Sequence, residues 1–229
     1  MTGVAQDIST LCQGKPDKLE GWLKGGQGKL LFSVGCILVC GAVYGSTLGI
    51  LRSPHQALFA AVKFPVMIFA TVVCNALVNG MLAMVMGIRL RLDESFHAIL
   101  MSYAIACLFL ASLGPVFFFH LWNWIPGDGS TGNGFFYWKL SHIGLIAIAG
   151  FVGNVRLWKL LESVAGSAKA WAVQMAWLVA NIFLGCQLSW ILRPFFGNPN
   201  IPVAFLREDA LERSFYEDVL VTLLGLWNQ

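Results

Sequence analysis

The sequence predicts an all-α fold, a polytopic membrane helical bundle of about five transmembrane helices with a C-terminal amphipathic helix. Three observations carry that expectation. Of 229 residues, 57% are hydrophobic and only 12% are charged, half the roughly 25% charged residues of an ordinary soluble domain. The apolar residues fall into five long, continuous runs. None of these runs alternates in polarity as the roughly ten-residue strands of a membrane barrel do. Lipid offers an open backbone no hydrogen-bond partner, so each run reads as helix. The same composition excludes a disordered chain, a disulfide-stapled mini-protein and an ordinary soluble enzyme.

Residues 1–28 form a polar N-terminal segment carrying Lys15, Lys18 and Lys24, without the apolar core of a cleaved signal peptide. Residues 29–193 form the transmembrane domain. Its first run covers 30–51 and its second covers 57–88, longer than the roughly 20 residues a bilayer needs. Pro65 is expected to break the second run, leaving residues 54–63 at the interface and a span over 64–88. The third run, 95–122, contains Pro115; the fourth covers 135–155 and the fifth 171–192. Residues 126–134 are Gly-rich and turn-forming, which suits an extramembrane hairpin.

Residues 194–229 combine a connector stiffened by Pro194, Pro199 and Pro202 with an amphipathic helix over 208–227. Leu211, Phe215, Val219, Leu223 and Leu226 line one side of that helix, with acidic residues on the other. It either caps the bundle at the membrane surface or docks a partner.

Orientation follows from the lysines and arginines of the short loops. With the N-terminus in the cytoplasm, Lys15, Lys18, Lys24, Lys29, Arg89, Arg91, Arg156, Lys159 and Lys169 lie inside. Arg52, Lys63, Lys139, Arg193, Arg207 and Arg213 lie outside, as does the C-terminus. Trp122, Trp124, Phe136, Tyr137, Trp138 and Trp190 then mark the outer boundary, and Trp22 and Trp158 the inner one. The net charge of +3 is too small to imply nucleic acid.

The firmest motif is Gly41, Gly45 and Gly49, spaced four apart in the first run. Such a face lets another helix backbone approach closely, either as a self-association or partner-docking face or as packing inside the bundle. Gly150 with Gly153, and Ala172, Ala176 and Ala180, have the same character. Lys63 is the basic residue inside an apolar run, either snorkelling to the headgroups or, with Asn75 and Asn79, lining a polar path. Gln174, Asn181 and Gln187 are further amides at membrane depth, suited to interhelical hydrogen bonds.

His120 closes the third run and His142 opens the fourth. Facing imidazoles can ligate a haem or transition metal. The alternative is interfacial hydrogen bonding, and no fuller ligand set accompanies the pair. Five of the six cysteines sit in apolar runs with no C-x-x-C pair, as packing residues do. No Asp or Glu lies in a run, and no H-E-x-x-H, Walker loop or G-x-S-x-G elbow occurs. The sequence therefore offers no catalytic constellation and implies no cofactor.

The stretch 87–96, Gly-Ile-Arg-Leu-Arg-Leu-Asp-Glu-Ser-Phe, leads into a proline-bearing span from His97 to Pro115. Together with five close-spaced spans, it resembles the bacterial members of the Yip1-type family of five-span integral membrane proteins. The resemblance covers residues 57–155 and implies a membrane scaffold or trafficking-type role in a bacterial inner membrane, with no functional residue to carry over. The expected function is a non-enzymatic integral membrane subunit. It would assemble with itself or with other membrane protein subunits in the lipid bilayer, through Gly41, Gly45 and Gly49 and the C-terminal segment. A channel or transporter is the second reading, and a haem- or metal-binding redox subunit the third.

Overall fold

The computed structural model describes residues 2–13, 22, 26–87, 92–124, 133–196 and 203–227. Of the hairpin anticipated at 126–134, residues 126–132 lie outside the described residues and Asn133 and Gly134 instead begin a helix; Arg89 and Arg91, connector residues 197–202, and Lys15, Lys18 and Lys24 also lie outside the described residues. Among the described residues the elements are helices: α1 Thr2–Gln13, α2 Gly26–Gly49, α3 Pro54–Val85, α4 Leu92–Trp124, α5 Asn133–Ala165, α6 Ser167–Ile191 and α7 Phe215–Trp227. Helices α2 to α6 are long and apolar enough to cross a membrane.

Local chemistry sets several boundaries. Ser53 caps α3 by accepting the Gln56 N–H at 3.1 Å, and Pro54 takes the first helical position, where its missing N–H costs no bond. Gly87 follows the end of α3 with φ 75°, a left-handed conformation that glycine adopts without a Cβ clash. Gly166, with φ 79°, alone separates α5 from α6, so these two helices turn back on a single residue.

Two boundary expectations are corrected. Pro65 does not break the second run, because α3 continues from Pro54 to Val85 with Pro65 inside it. An internal proline removes one backbone donor, and here its ring packs beneath Gly41, whose missing Cβ would stand 3.3 Å from Pro65 Cγ. Residues 54–63 are therefore the first turns of a span, with Gln56, Ala57 and Ala60 buried. The last helix begins at Phe215, not at residue 208. Ser214 and Glu217 set this start: the Ser214 hydroxyl accepts the Glu217 N–H at 3.1 Å and the Glu217 carboxylate accepts the Ser214 N–H at 2.9 Å. That reciprocal pair is a capping box.

Helix α3 packs on α4, α4 on α5, α5 on α6 and α6 back on α3, which closes four spans into a ring. Helix α2 lies in the groove between α3 and α4. The core runs along this groove through Ile37, Tyr44, Leu48, Ala60, Phe64, Ile68, Val72, Met101 and Ala104. Leu157, Leu160, Val173 and Trp177 extend it between α5 and α6. Those two helices are the least buried spans. At the N-terminal end, α1 touches α4, Leu11 is buried, and Lys29 pairs with Asp7.

Candidate functional site

The glycine motif is used inside the chain. A Cβ on Gly45 would stand 2.6 Å from the Ala60 carbonyl oxygen and 2.9 Å from Phe64 Cβ, and one on Gly49 would stand 2.4 Å from the Gln56 carbonyl oxygen. The face that the sequence offered to a partner is filled by α3 of the same molecule, because glycine permits this backbone approach. Gly153 behaves likewise, 2.8 Å from the Ser102 carbonyl oxygen, whereas Gly150 faces open space.

At the end of the bundle where α2 turns into α3, Lys63 is fully buried. This corrects the snorkelling expectation. The ammonium does not reach outward but donates to the Pro194 carbonyl at 3.1 Å and sits over the Phe205 ring at 5.0 Å. Both contacts suit a cation in apolar surroundings. Gln56, two turns earlier on α3, donates to the carbonyls of Pro194 at 2.8 Å and Phe195 at 3.0 Å. The two α3 side chains thus clamp the segment leaving α6, which the sequence marked as a proline-stiffened connector. Among the described residues Lys29 pairs with Asp7, and Arg193 and Arg207 pair with Asp209, whereas the contacts of the Lys63 ammonium are a carbonyl and a ring.

Beside this clamp stands an aromatic cage around His142. Its ring is fully buried and stacks on Phe117 at 4.2 Å between centroids. Trp138 on the same face of α5 lies edge-on at 4.7 Å, Tyr44 of α2 at 5.5 Å and Phe196 of the connector at 5.7 Å. The Tyr44 hydroxyl lies 2.9 Å from His142 Nδ1. Among the described residues, His142 Nε2 and Trp138 Nε1 are buried with no hydrogen-bond partner. His120 lies near the end of α4, but its side chain falls outside the described residues. Among the described residues no group of three His, Cys, Asp or Glu side chains is placed to hold a metal. The i, i+4 spacing of Trp138 and His142 was visible in the sequence, but Tyr44 and Phe196 come from elements with no sequence link to it.

Deeper in the bundle, polar side chains join α6 to α3 and to α5. Asn75 donates to Asn181, whose carbonyl oxygen lies 3.5 Å from the Tyr103 hydroxyl. Trp177 donates to the Asn79 backbone carbonyl at 2.9 Å, and Gln174 donates to Asn154 at 2.6 Å. Both side-chain polar atoms of Asn79 are buried without a partner among the described residues. Lys63 is not brought to Asn75 or Asn79. The twelve-residue interval from Lys63 to Asn75 is about 18 Å of helix rise, and Phe64, Ile68 and Val72 are buried within it.

The C-terminal segment docks on the end of α6. Trp190 donates to the Arg213 carbonyl at 2.7 Å, Gln187 accepts the Phe215 N–H at 3.0 Å, and the Tyr216 hydroxyl donates to the Phe183 carbonyl at 2.7 Å. Arg193 stacks on Trp190 at 3.5 Å and pairs with Asp209 at 3.6 Å. Desolvation, then the neighbouring Arg207, lowers the Arg193 guanidinium from its ordinary value, and Asp209 opposes that shift.

The fold and these interiors define a class: all-helical among the described residues, with five helices long and apolar enough to cross a membrane, which fits a multi-pass protein in contact with a lipid bilayer. Comparison with family models, curated proteins and solved structures finds no match to the chain.

Proposed function

We propose that the chain is a non-enzymatic integral membrane subunit of a bacterial inner membrane, N-terminus in the cytoplasm and C-terminus outside. It assembles with itself or with a larger membrane complex through its C-terminal segment. The observation that carries this reading is the sparse seat of α7. That helix packs chiefly on α6 among the described residues, and Leu211, Val219, Leu220 and Val221 remain exposed. Exposed apolar side chains grouped on one short segment mark an interaction surface. The glycine face, the first candidate for docking, is already spent on α3. The resemblance to Yip1-type proteins, with its implied scaffold role, supports the same reading.

The test is purification in mild detergent from native membranes, comparing the wild type with Leu220→Asp. The wild type is expected to carry stoichiometric partner proteins or to run as a defined oligomer, and the variant to lose them while keeping its helical content. A wild-type protein that runs as a monomer without partners would overturn the proposal.

A further inference from the structure

From the cage around His142 we infer that the end of the bundle where α2 meets α3 binds a planar, uncharged, lipid-soluble carbonyl compound of the quinone class, separately from any subunit role. The Tyr44 contact selects the His142 tautomer. The Tyr44 hydroxyl and His142 Nδ1 are 2.9 Å apart. If Nδ1–H donated to Tyr44, the hydroxyl hydrogen and the Nε2 lone pair would both lack a partner. If the hydroxyl donates to Nδ1, only Nε2–H is left over. The second arrangement satisfies more groups, and buried polar groups favour it.

The cage then holds two N–H donors, His142 Nε2 and Trp138 Nε1, both buried and without an acceptor among the described residues. They sit one helical turn apart on one face of α5, with ring centroids 4.7 Å apart. Each unmet donor carries a desolvation cost that an acceptor oxygen would remove. The surroundings define the rest of the ligand. Phe117, Tyr44 and Phe196 supply ring surfaces and no charge, which suits a flat, neutral head group.

Access also fits. Helix α5 is poorly buried, and Tyr137, Leu140 and Ile143 beside the cage are exposed on its outer face, where a lipid-soluble compound would arrive. Phe196 is the cage wall carried by no span. The ligand would take its place against the His142 ring. The Gln56 and Lys63 hydrogen bonds to Pro194 and Phe195 hold that wall beside His142 while the site is closed.

The test uses the full-length protein in lipid nanodiscs, labelled with ¹⁵N in its indole nitrogens, with decylubiquinone as the probe. The Trp138 resonance is assigned by its loss in Trp138→Phe. Saturable binding that moves this resonance is expected, with affinity about five- to ten-fold weaker in Trp138→Phe and in His142→Phe, as loss of one neutral hydrogen bond implies. Decylbenzene, which has the tail and ring but no carbonyl, is expected not to compete. Partitioning without saturation, an unmoved Trp138 resonance at saturation, or equal binding of decylbenzene would each overturn the inference. If His142→Phe does not fold, the resonance shift in the wild-type protein and the decylbenzene comparison decide alone.

Discussion

The ammonium of Lys63 hydrogen-bonds the carbonyl oxygen of Pro194 at 3.1 Å, across 131 residues of chain. Gln56 donates to the same oxygen and to that of Phe195. Gln56→Leu therefore strips the half-buried Phe195 carbonyl of this donor and is expected to cost about 1 kcal/mol, the net worth of one hydrogen bond. Lys63→Met keeps a long side chain in place and leaves Pro194 with Gln56, so it is expected to cost less. Unfolding of the purified variants by titration with a denaturing detergent ranks the two, and the reverse order would contradict the clamp.

Glycine contacts predict a split among positions that look alike in sequence. Gly45→Ala and Gly153→Ala each drive a methyl to within 3 Å of a carbonyl oxygen on a neighbouring helix. Each is expected to lose about 1–3 kcal/mol of stability through overpacking. Gly150→Ala meets nothing within 4 Å and is expected to leave the unfolding midpoint unchanged or raised. Equal loss at all three positions would show that these helices do not pack as described.

The two buried asparagines of α3 are expected to respond oppositely. Asn75 donates to Asn181, so Asn75→Leu is expected to cost about 0.5–2 kcal/mol. Asn79 carries two buried polar atoms without partners among the described residues, so Asn79→Leu is expected to raise stability by about 1 kcal/mol or more. A double-mutant cycle on Asn75 and Asn181 would isolate the pair, and zero coupling would remove the bond from the account.

Orientation is open to a direct labelling measurement. The Cys12 thiol is exposed on α1, near the N-terminus. With that terminus in the cytoplasm, a membrane-impermeant maleimide is expected to label Cys12 in inverted vesicles and not in intact cells. Labelling only in intact cells would reverse the topology and place the His142 cage on the cytoplasmic side.

The five spans were legible because length and polarity are local properties. Each helix long and apolar enough to cross a membrane overlaps an apolar run already visible as such, and the end of α6 at Ile191 falls one residue from the expected limit. Errors of extent arose where a weak local signal met a tertiary one. Pro65 looked like a break, but its ring fits beneath Gly41 and α3 runs on. The capping box of Ser214 and Glu217 was present in the sequence and moves the start of the last helix to Phe215.

By itself, the sequence determined that the chain is helical, where its apolar runs lie and which chemistries are missing from them. Only the tertiary structure decided which faces meet. The glycines of α2 proved to serve α3, Lys63 to hold the strand of chain after α6, and His142 to join Tyr44 across 98 residues. The physical reason is that helical periodicity states which residues share a face and how long the face is. It does not state which neighbour that face will find, and in an apolar bundle many pairings bury similar surface. The choice rests on close backbone approach and a few long-range hydrogen bonds, and these exist only once the helices are packed.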